Sequence, residues 1–408
     1  MSQASRYSVI HFMRRVVFPT LLISFAASLS AAQAEPEPPL QALAGDRFLL
    51  GAAARIDDLT DPGLAGLIRR HFNMLTAEVE FMPHRLTPGA GEFDFGPADA
   101  VAEFSQRHGL TLMGHMLLWH YRSPRWLFED FDGQPLSRER ALANLEQYIR
   151  TVVGHFRGRV AAWAVVNEAL SDDPDEFFRP TPAYRSIGDD YISKAFEFAH
   201  AADPAVKLYY NDYNLEEPAK LRKVVELIRS LKRAGRRIDA VGVQGHYLLH
   251  YPPAALIDDA LQELAAEGVE VMITELDVDV LPRTVSGANM ERVESGPNPY
   301  PDHLPESVQE ALAQRYAEIF RVLVNQPAVT AVTFWGSHDG RSWLNDYPVR
   351  GRTNHALLFD RELRPKPAWH AVADVLRGGD AAGHSGGHQA LEPQRHREMM
   401  VDGLNLGP

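Results

Sequence analysis

The chain has 408 residues, 45% hydrophobic and 23% charged, an ordinary globular composition with length enough for one large barrel or two smaller domains. A formal net charge of -13 argues against a nucleic-acid partner, which would need Lys and Arg to displace condensed counterions, and is compatible with a neutral polymer. The absence of cysteine excludes disulfides, thiol nucleophiles and cysteine-ligated zinc.

Arg6, Arg14 and Arg15 precede an apolar stretch over 16–29 and small residues ending Ala32-Gln33-Ala34. That order predicts a secretory signal peptide over 1–34. A membrane anchor is disfavoured because the stretch is short for a bilayer span and is interrupted by Pro19 and Ser24. The expected mature protein is secreted or periplasmic and free of the membrane once cleaved.

From 35 to 378, apolar runs alternate with segments of helical period. Runs at 48–53, 72–77, 111–118, 160–166, 207–211, 240–244, 269–274 and 329–335 read as buried parallel strands. Segments 138–156, 219–234 and 305–325 repeat Leu and Ile at three- and four-residue spacing, as amphipathic helices do. Gly109, Gly158, Gly235 and Gly268 lie just past such segments, where a left-handed C-cap belongs. Eight strand-helix units predict an α/β protein, a single closed (β/α)8 TIM barrel. No Gly-x-Gly-x-x-Gly turn follows the first run, which counts against a dinucleotide fold. The long irregular stretch 281–303 after strand 7 is expected to overhang the active-site face. Beyond 378 the chain turns Gly- and His-rich, which predicts a disordered tail over 379–408. His384, His388 and His396 on that tail have no preorganised geometry, and neither a metal site nor a cofactor is expected.

Glu168 closes the apolar run AAWAVVNE and Glu275 closes VEVMITE. In a parallel barrel the working side chains sit where strands end, and glycoside hydrolysis needs two carboxyl groups there. One protonates the leaving oxygen while the other attacks the sugar carbon or activates water. Other strand ends supply Glu78, His115, Trp119, His120, Asn167, Asn211, Asp212, Gln244, His246, Asp277, Trp335 and Trp343.

Trp119-His120, the run from Trp163 to Ala169 with its Asn167-Glu168, Tyr209-Tyr210-Asn211-Asp212-Tyr213-Asn214, Gln244-Gly245-His246, Ile273-Thr274-Glu275-Leu276-Asp277-Val278, Phe334-Trp335-Gly336 and Ser342-Trp343-Leu344 resemble, in order, the motifs of glycoside hydrolase family ten. The resemblance spans about 48–376 and implies a retaining endo-1,4-β-xylanase on an eight-fold barrel. It implies Glu168 as acid/base and Glu275 as nucleophile, with His246 donating to Glu275 and Asp277 orienting that imidazole. Asn167 would bond the sugar 2-hydroxyl and His120 a ring hydroxyl, while Trp335 and Trp343 wall the cleft. Glu78, Trp119, Asn211, Gln244 and Arg122 complete the implied substrate-binding set. The implied partner is a polysaccharide, xylan or a related β-glycan, acted on by a monomer.

Three positions depart from the family pattern. Val79 and Met82 stand where Asn and Lys are usual, and Arg122 where Gln is usual, all on the glycone side. A different β-linked glycan or glycoside, cleaved by the same fold and chemistry, is therefore an alternative substrate. A non-catalytic carbohydrate-binding barrel is a further alternative, though the loss of a carboxylate that would favour it has not occurred. Ala164, where Asp is usual, lies inside a strand and reads as structural. For Arg122 the plainer expectation is an ion pair with Glu80; the other is that Arg122, near Arg125, His84 and Arg85, receives an acidic decoration such as a glucuronic acid carboxylate.

Overall fold

The protein's structure, a computed structural model, describes residues 37–282 and 294–378. The expected signal segment and tail, and 283–293 of the long loop, lie outside the described residues. The described strands are β1 (Leu49–Ala54), β2 (Met74–Ala77), β3 (Thr111–Gly114), β4 (Ala162–Asn167), β5 (Lys207–Asp212), β6 (Ala240–Val243), β7 (His246–Leu248), β8 (Glu270–Asp279) and β9 (Val329–Phe334). Every pairing is parallel: β6 to β1 lie side by side in turn, β9 and β8 follow β1, and β6 pairs with β8 to close the ring. The fold is a (β/α)8 barrel, as the alternation of runs and helices predicts. The run expected over 240–244 is β6, one residue shorter, and short β7 resumes beyond Gly245 and pairs with the outer half of β8.

Period two along the strands sorts the core into two parts. Leu112, Trp163, Leu208, Val241, Val271 and Val332 point outward into the large layer packed under the helices. Met74, Met113, Ala162, Ala164, Tyr209, Ala240, Met272 and Ala331 point inward and fill the lumen. Ala164 thus belongs to the lumen packing.

Helices form where an apolar stripe meets a start signal. Pro62–His71 begins with Pro in its first turn, and the Asp61 side chain accepts from the Gly63 and Leu64 N–H groups at 2.8 and 2.9 Å. The helices expected at 138–156, 219–234 and 305–325 are Arg138–His155, Pro218–Arg233 and Glu306–Val324. No helix of the described residues is long and apolar enough to cross a membrane.

Two strands differ from expectation in a way that matters for function. β3 ends at Gly114 instead of Leu118; Gly114 still pairs with Trp163, whose ring a side chain at 114 would meet 2.2 Å away, and the chain then leaves regular pairing. It stays beside β4 through Leu117 N–H to Ala164 O and Asn167 N–H to Leu118 O, both 2.9 Å. β8 runs to Asp279, so Glu275 stands within a strand rather than after one.

Candidate active site

Two β-bulges aim the carboxylates. On β4 the register against β5 slips between Ala164 and Val166, so Val165 and Val166 both face outward and Asn167 turns inward. On β8 the register against β9 slips between Ile273 and Leu276, which lets Thr274 and Glu275 both leave the outer face. Strict alternation would have hidden Asn167 and Glu275 under the helices.

Glu168 follows β4 with φ +55°, a left-handed conformation that costs a non-glycine residue about 1 kcal/mol or more. The surroundings over-determine it. Its N–H donates to Asn211 O at 2.9 Å, its carbonyl accepts from Arg179 Nε at 3.1 Å, and the next two N–H groups, Ala169 and Leu170, both donate to the Tyr210 hydroxyl at 2.9 and 3.1 Å. Tyr210 in turn donates to Asp212 at 2.5 Å, and Lys220 pairs with that carboxylate at 3.2 Å.

The Glu168 carboxyl accepts from Trp119 Nε1 and Gln244 Nε2, each at 2.9 Å. Burial, and then the charge of Asp212, push its pKa up to about 7, against those two donors and with a small contribution from Glu275. Glu275 is held the other way. Burial works against its charge, but a hydrogen bond from His246, at 3.2 Å, and one from Asn211 Nδ2, at 2.8 Å, keep its pKa below the usual carboxylate range. Burial also opposes charge on His246, yet Asp277 at 3.0 Å and Glu275 raise it to about 10, so both ring nitrogens carry protons and donate. The pairing of β7 with β8 sets His246 directly opposite Asp277.

A run of amides links the two carboxyls. Gln244 Nε2 reaches Glu168 at 2.9 Å and Asn167 Oδ1 at 3.4 Å, and Asn211 Nδ2 reaches Asn167 Oδ1 and Glu275 Oε1, each at 2.8 Å. Thr274 Oγ1 donates to Asn211 Oδ1 at 2.6 Å, which fixes the flip of that amide. Gly242 makes the space: a Cβ there would lie 2.1 Å from Asn211 Oδ1.

These groups open onto a cleft of about 620 Å³. Of the residues singled out in the sequence, Glu78, Trp119, Arg122, Asn167, Glu168, Gln244, His246, Glu275, Trp335 and Trp343 line it. Asn211 and Asp277 are fully buried behind it, Asp277 accepting from Trp343 Nε1 at 2.7 Å as well as from His246. His120 is the exception. It lines a neighbouring cavity of about 290 Å³ instead, and burial followed by the Arg179 charge lowers its pKa to about 4. His115, also singled out in the sequence, lines the cleft along with His246; it lies 3.8 Å from Glu275 Oε1, and burial lowers its pKa.

Arg55 escaped the reading of the sequence. It clamps both oxygens of Glu78, at 2.8 and 2.6 Å, on the cleft wall. The signal available was a single Arg directly beyond the first apolar run, followed by Asp57 and Asp58. The expected ion pair of Arg122 with Glu80 does not form. Glu80 is buried and accepts from the Ile56 N–H at 2.8 Å, at the start of the short helix Ile56–Thr60, and does not line the cleft. Among the described residues no group of His, Asp and Glu is arranged to hold a metal ion.

The model of glycosyl hydrolase family 10 matches residues 39–375. A β-1,4-xylanase of Dictyoglomus thermophilum is 39% identical over 358 residues, 86% of this chain and 96% of that protein. Endo-1,4-β-xylanase A of Xylanibacter ruminicola is 38% identical over 355 residues, 85% of this chain and 95% of its own. Among solved structures, a family 10 endoxylanase from a sugarcane soil metagenome superposes with a TM-score of 0.78 at 37% identity, covering 83% of this chain and all of that one. The xylanase of Paenibacillus barcinonensis in complex with a conduramine derivative gives 0.77 at 36% identity, over 83% and 99% of the two chains. Matched along nearly the whole barrel, the chain belongs to glycosyl hydrolase family 10.

Proposed function

We propose that this protein is an endo-1,4-β-xylanase that cleaves internal bonds of xylan with retention, Glu168 serving as acid/base and Glu275 as nucleophile. The observation that carries the reading is the opposite protonation of two carboxyls in one cleft, Glu168 with its pKa near 7 and Glu275 held ionised. Both Glu168 oxygens accept from fixed N–H donors, Trp119 and Gln244, and the carboxyl lines the cleft, where its proton can meet a glycosidic oxygen. In the first step that proton passes to the glycosidic oxygen while a Glu275 oxygen bonds the anomeric carbon and the leaving sugar departs. In the second, the Glu168 carboxylate takes a proton from water, the water oxygen bonds the anomeric carbon, and Glu275 is released. Trp119 and Gln244 then hold Glu168 while it is negative, and His246 and Asn211 hold Glu275 before and after. Trp335 and Trp343 offer ring faces on which the apolar side of a pyranose packs.

The same reading takes 1–34 as an export signal, supported by its arginines and apolar run, 35–378 as the catalytic domain and 379–408 as a tail, in a secreted or periplasmic monomer. Following the anomeric proton by NMR during early hydrolysis of xylo-oligosaccharides tests the mechanism, with a β-configured first product expected. An α-configured first product refutes retention. Glu275→Ala is expected to lose turnover on every substrate, and Glu168→Ala to keep glycosylation where the leaving group needs no proton. Equal loss on activated and unactivated substrates in Glu168→Ala refutes the assignment.

A further inference from the structure

Among the described residues three guanidiniums line the cleft, and their partners differ. Arg55 is neutralised by both oxygens of Glu78, and Arg341 pairs with Asp58. Arg122 is exposed and makes no ion pair or side-chain hydrogen bond with the described residues; its guanidinium carbon stands 5.9 Å from the centre of the Trp119 ring. A neutral sugar has no need of a free cation, and a chain of net charge -13 has many acids with which to pair one.

The surroundings sharpen this. Val79 and Met82 line the same end of the cleft and offer no hydrogen bond to a sugar hydroxyl. Arg85 is exposed nearby and also lacks an ion pair among the described residues. His84 is close to both arginines, and partial desolvation first, then the Arg122 and Arg85 charges, lower its pKa. Its N–H donates to Arg122 O at 3.0 Å, which ties the loop after β2 to the loop after β3 and fixes where the guanidinium starts. Among the described residues the result is one unpaired guanidinium on the cleft wall, Arg122, beside the apolar Val79 and Met82 and near the indole of Trp119.

We infer that Arg122 is a carboxylate-binding residue and that the enzyme selects a β-linked xylan carrying acidic, uronic-acid branches at this end of the cleft. The inference rests on the xylanase reading and deepens it. A guanidinium meets a carboxylate through two parallel hydrogen bonds, which a neutral diol cannot match in charge. Because the site is open to solvent and screened, the expected gain is modest, about three- to tenfold in kcat/KM.

The test compares kcat/KM on glucuronoxylan and on the same polymer stripped enzymatically of its uronic acids, for the wild type, Arg122→Gln and Arg122→Lys. The wild type is expected to prefer the acidic polymer, with the preference shrinking as salt is added. Arg122→Gln should bring the ratio to about one, and Arg122→Lys should keep part of it, since charge survives and the planar fork does not. Product mapping should find the branched xylose on the glycone side of the cut. A wild type that prefers the stripped polymer, or a ratio untouched by Arg122→Gln, overturns the inference while leaving the xylanase reading intact. Failure of the folded wild type on both polymers, with turnover of another β-glycan, overturns both.

Discussion

At the scale of single residues, the division of labour between Glu168 and Glu275 is set by what each carboxyl touches. Glu168 is backed by a second buried acid, Asp212, and Glu275 by an imidazolium. The folded Glu168 therefore holds a proton up to about pH 7 that the unfolded chain gives up near 4.5. Between those values the native state binds more protons, so folding is favoured at the acid end and that contribution is lost as pH rises through about 7. The loss is roughly 3 kcal/mol at most, at about 1.4 kcal/mol for each pH unit. Glu168→Gln cannot ionise. It is expected to be relatively more stable than the wild type at about pH 8 than at about pH 5, in paired denaturant melts. The same substitution should remove the alkaline limb of the pH profile on an activated substrate, a limb expected near 7 in the wild type. An unchanged limb, or a stability difference independent of pH, would assign the titration to another group.

At the scale of elements, the bulges in β4 and β8 decide which residues see the cleft. In AAWAVVNE, alternation starting from the inward Ala162 and Ala164 predicts Val166 inward and Asn167 outward; the slip at Val165 reverses both. Both glutamates were legible in the sequence because an acid ends each apolar run. The one-residue slips that orient them were not, since nothing in a run of valines marks where a ladder skips. His120 shows the related difficulty: the expected third run, 111–118, contains His115 and ends before His120, whereas β3 ends at Gly114 and His115, just beyond it, lines the cleft. The holder of the Glu168 turn was equally hidden. Tyr210 reads as an outward core residue, yet its hydroxyl takes two N–H groups and hands its own proton to Asp212. Tyr210→Phe leaves those N–H groups unpaired and is expected to destabilise the fold by about 1–3 kcal/mol. It should lower kcat roughly 10- to 100-fold with little change in KM, because the acid loses its aim rather than the cleft its grip. Measured kinetics with kcat preserved would make Tyr210 merely structural.

At the scale of the whole molecule, the sequence of apolar runs was enough to read the barrel and the order of its strands. How the lumen is filled was less visible. Among the described residues, Met74, Met113, Met116 and Met272 gather with alanines and Tyr209 beneath the catalytic groups, each at most 5% exposed. A chain without cysteine keeps all its sulfur in ten methionines, and these four are almost wholly buried, Met116 at the cleft's inner edge with 1% exposure. Sulfoxide formation turns a pliable apolar side chain into a bulky polar one that such a floor could not readmit. Peroxide should therefore leave these four untouched in the native enzyme, with the half-buried Met82 on the cleft wall oxidised sooner, as peptide mass spectrometry can follow. Modification of the four at the rate of Met82 would contradict that shielding. Any excursion to the unfolded state in an oxidant would be recorded in the lumen and could not be undone by refolding, so the enzyme's working life in oxidising surroundings is set by how often the barrel opens.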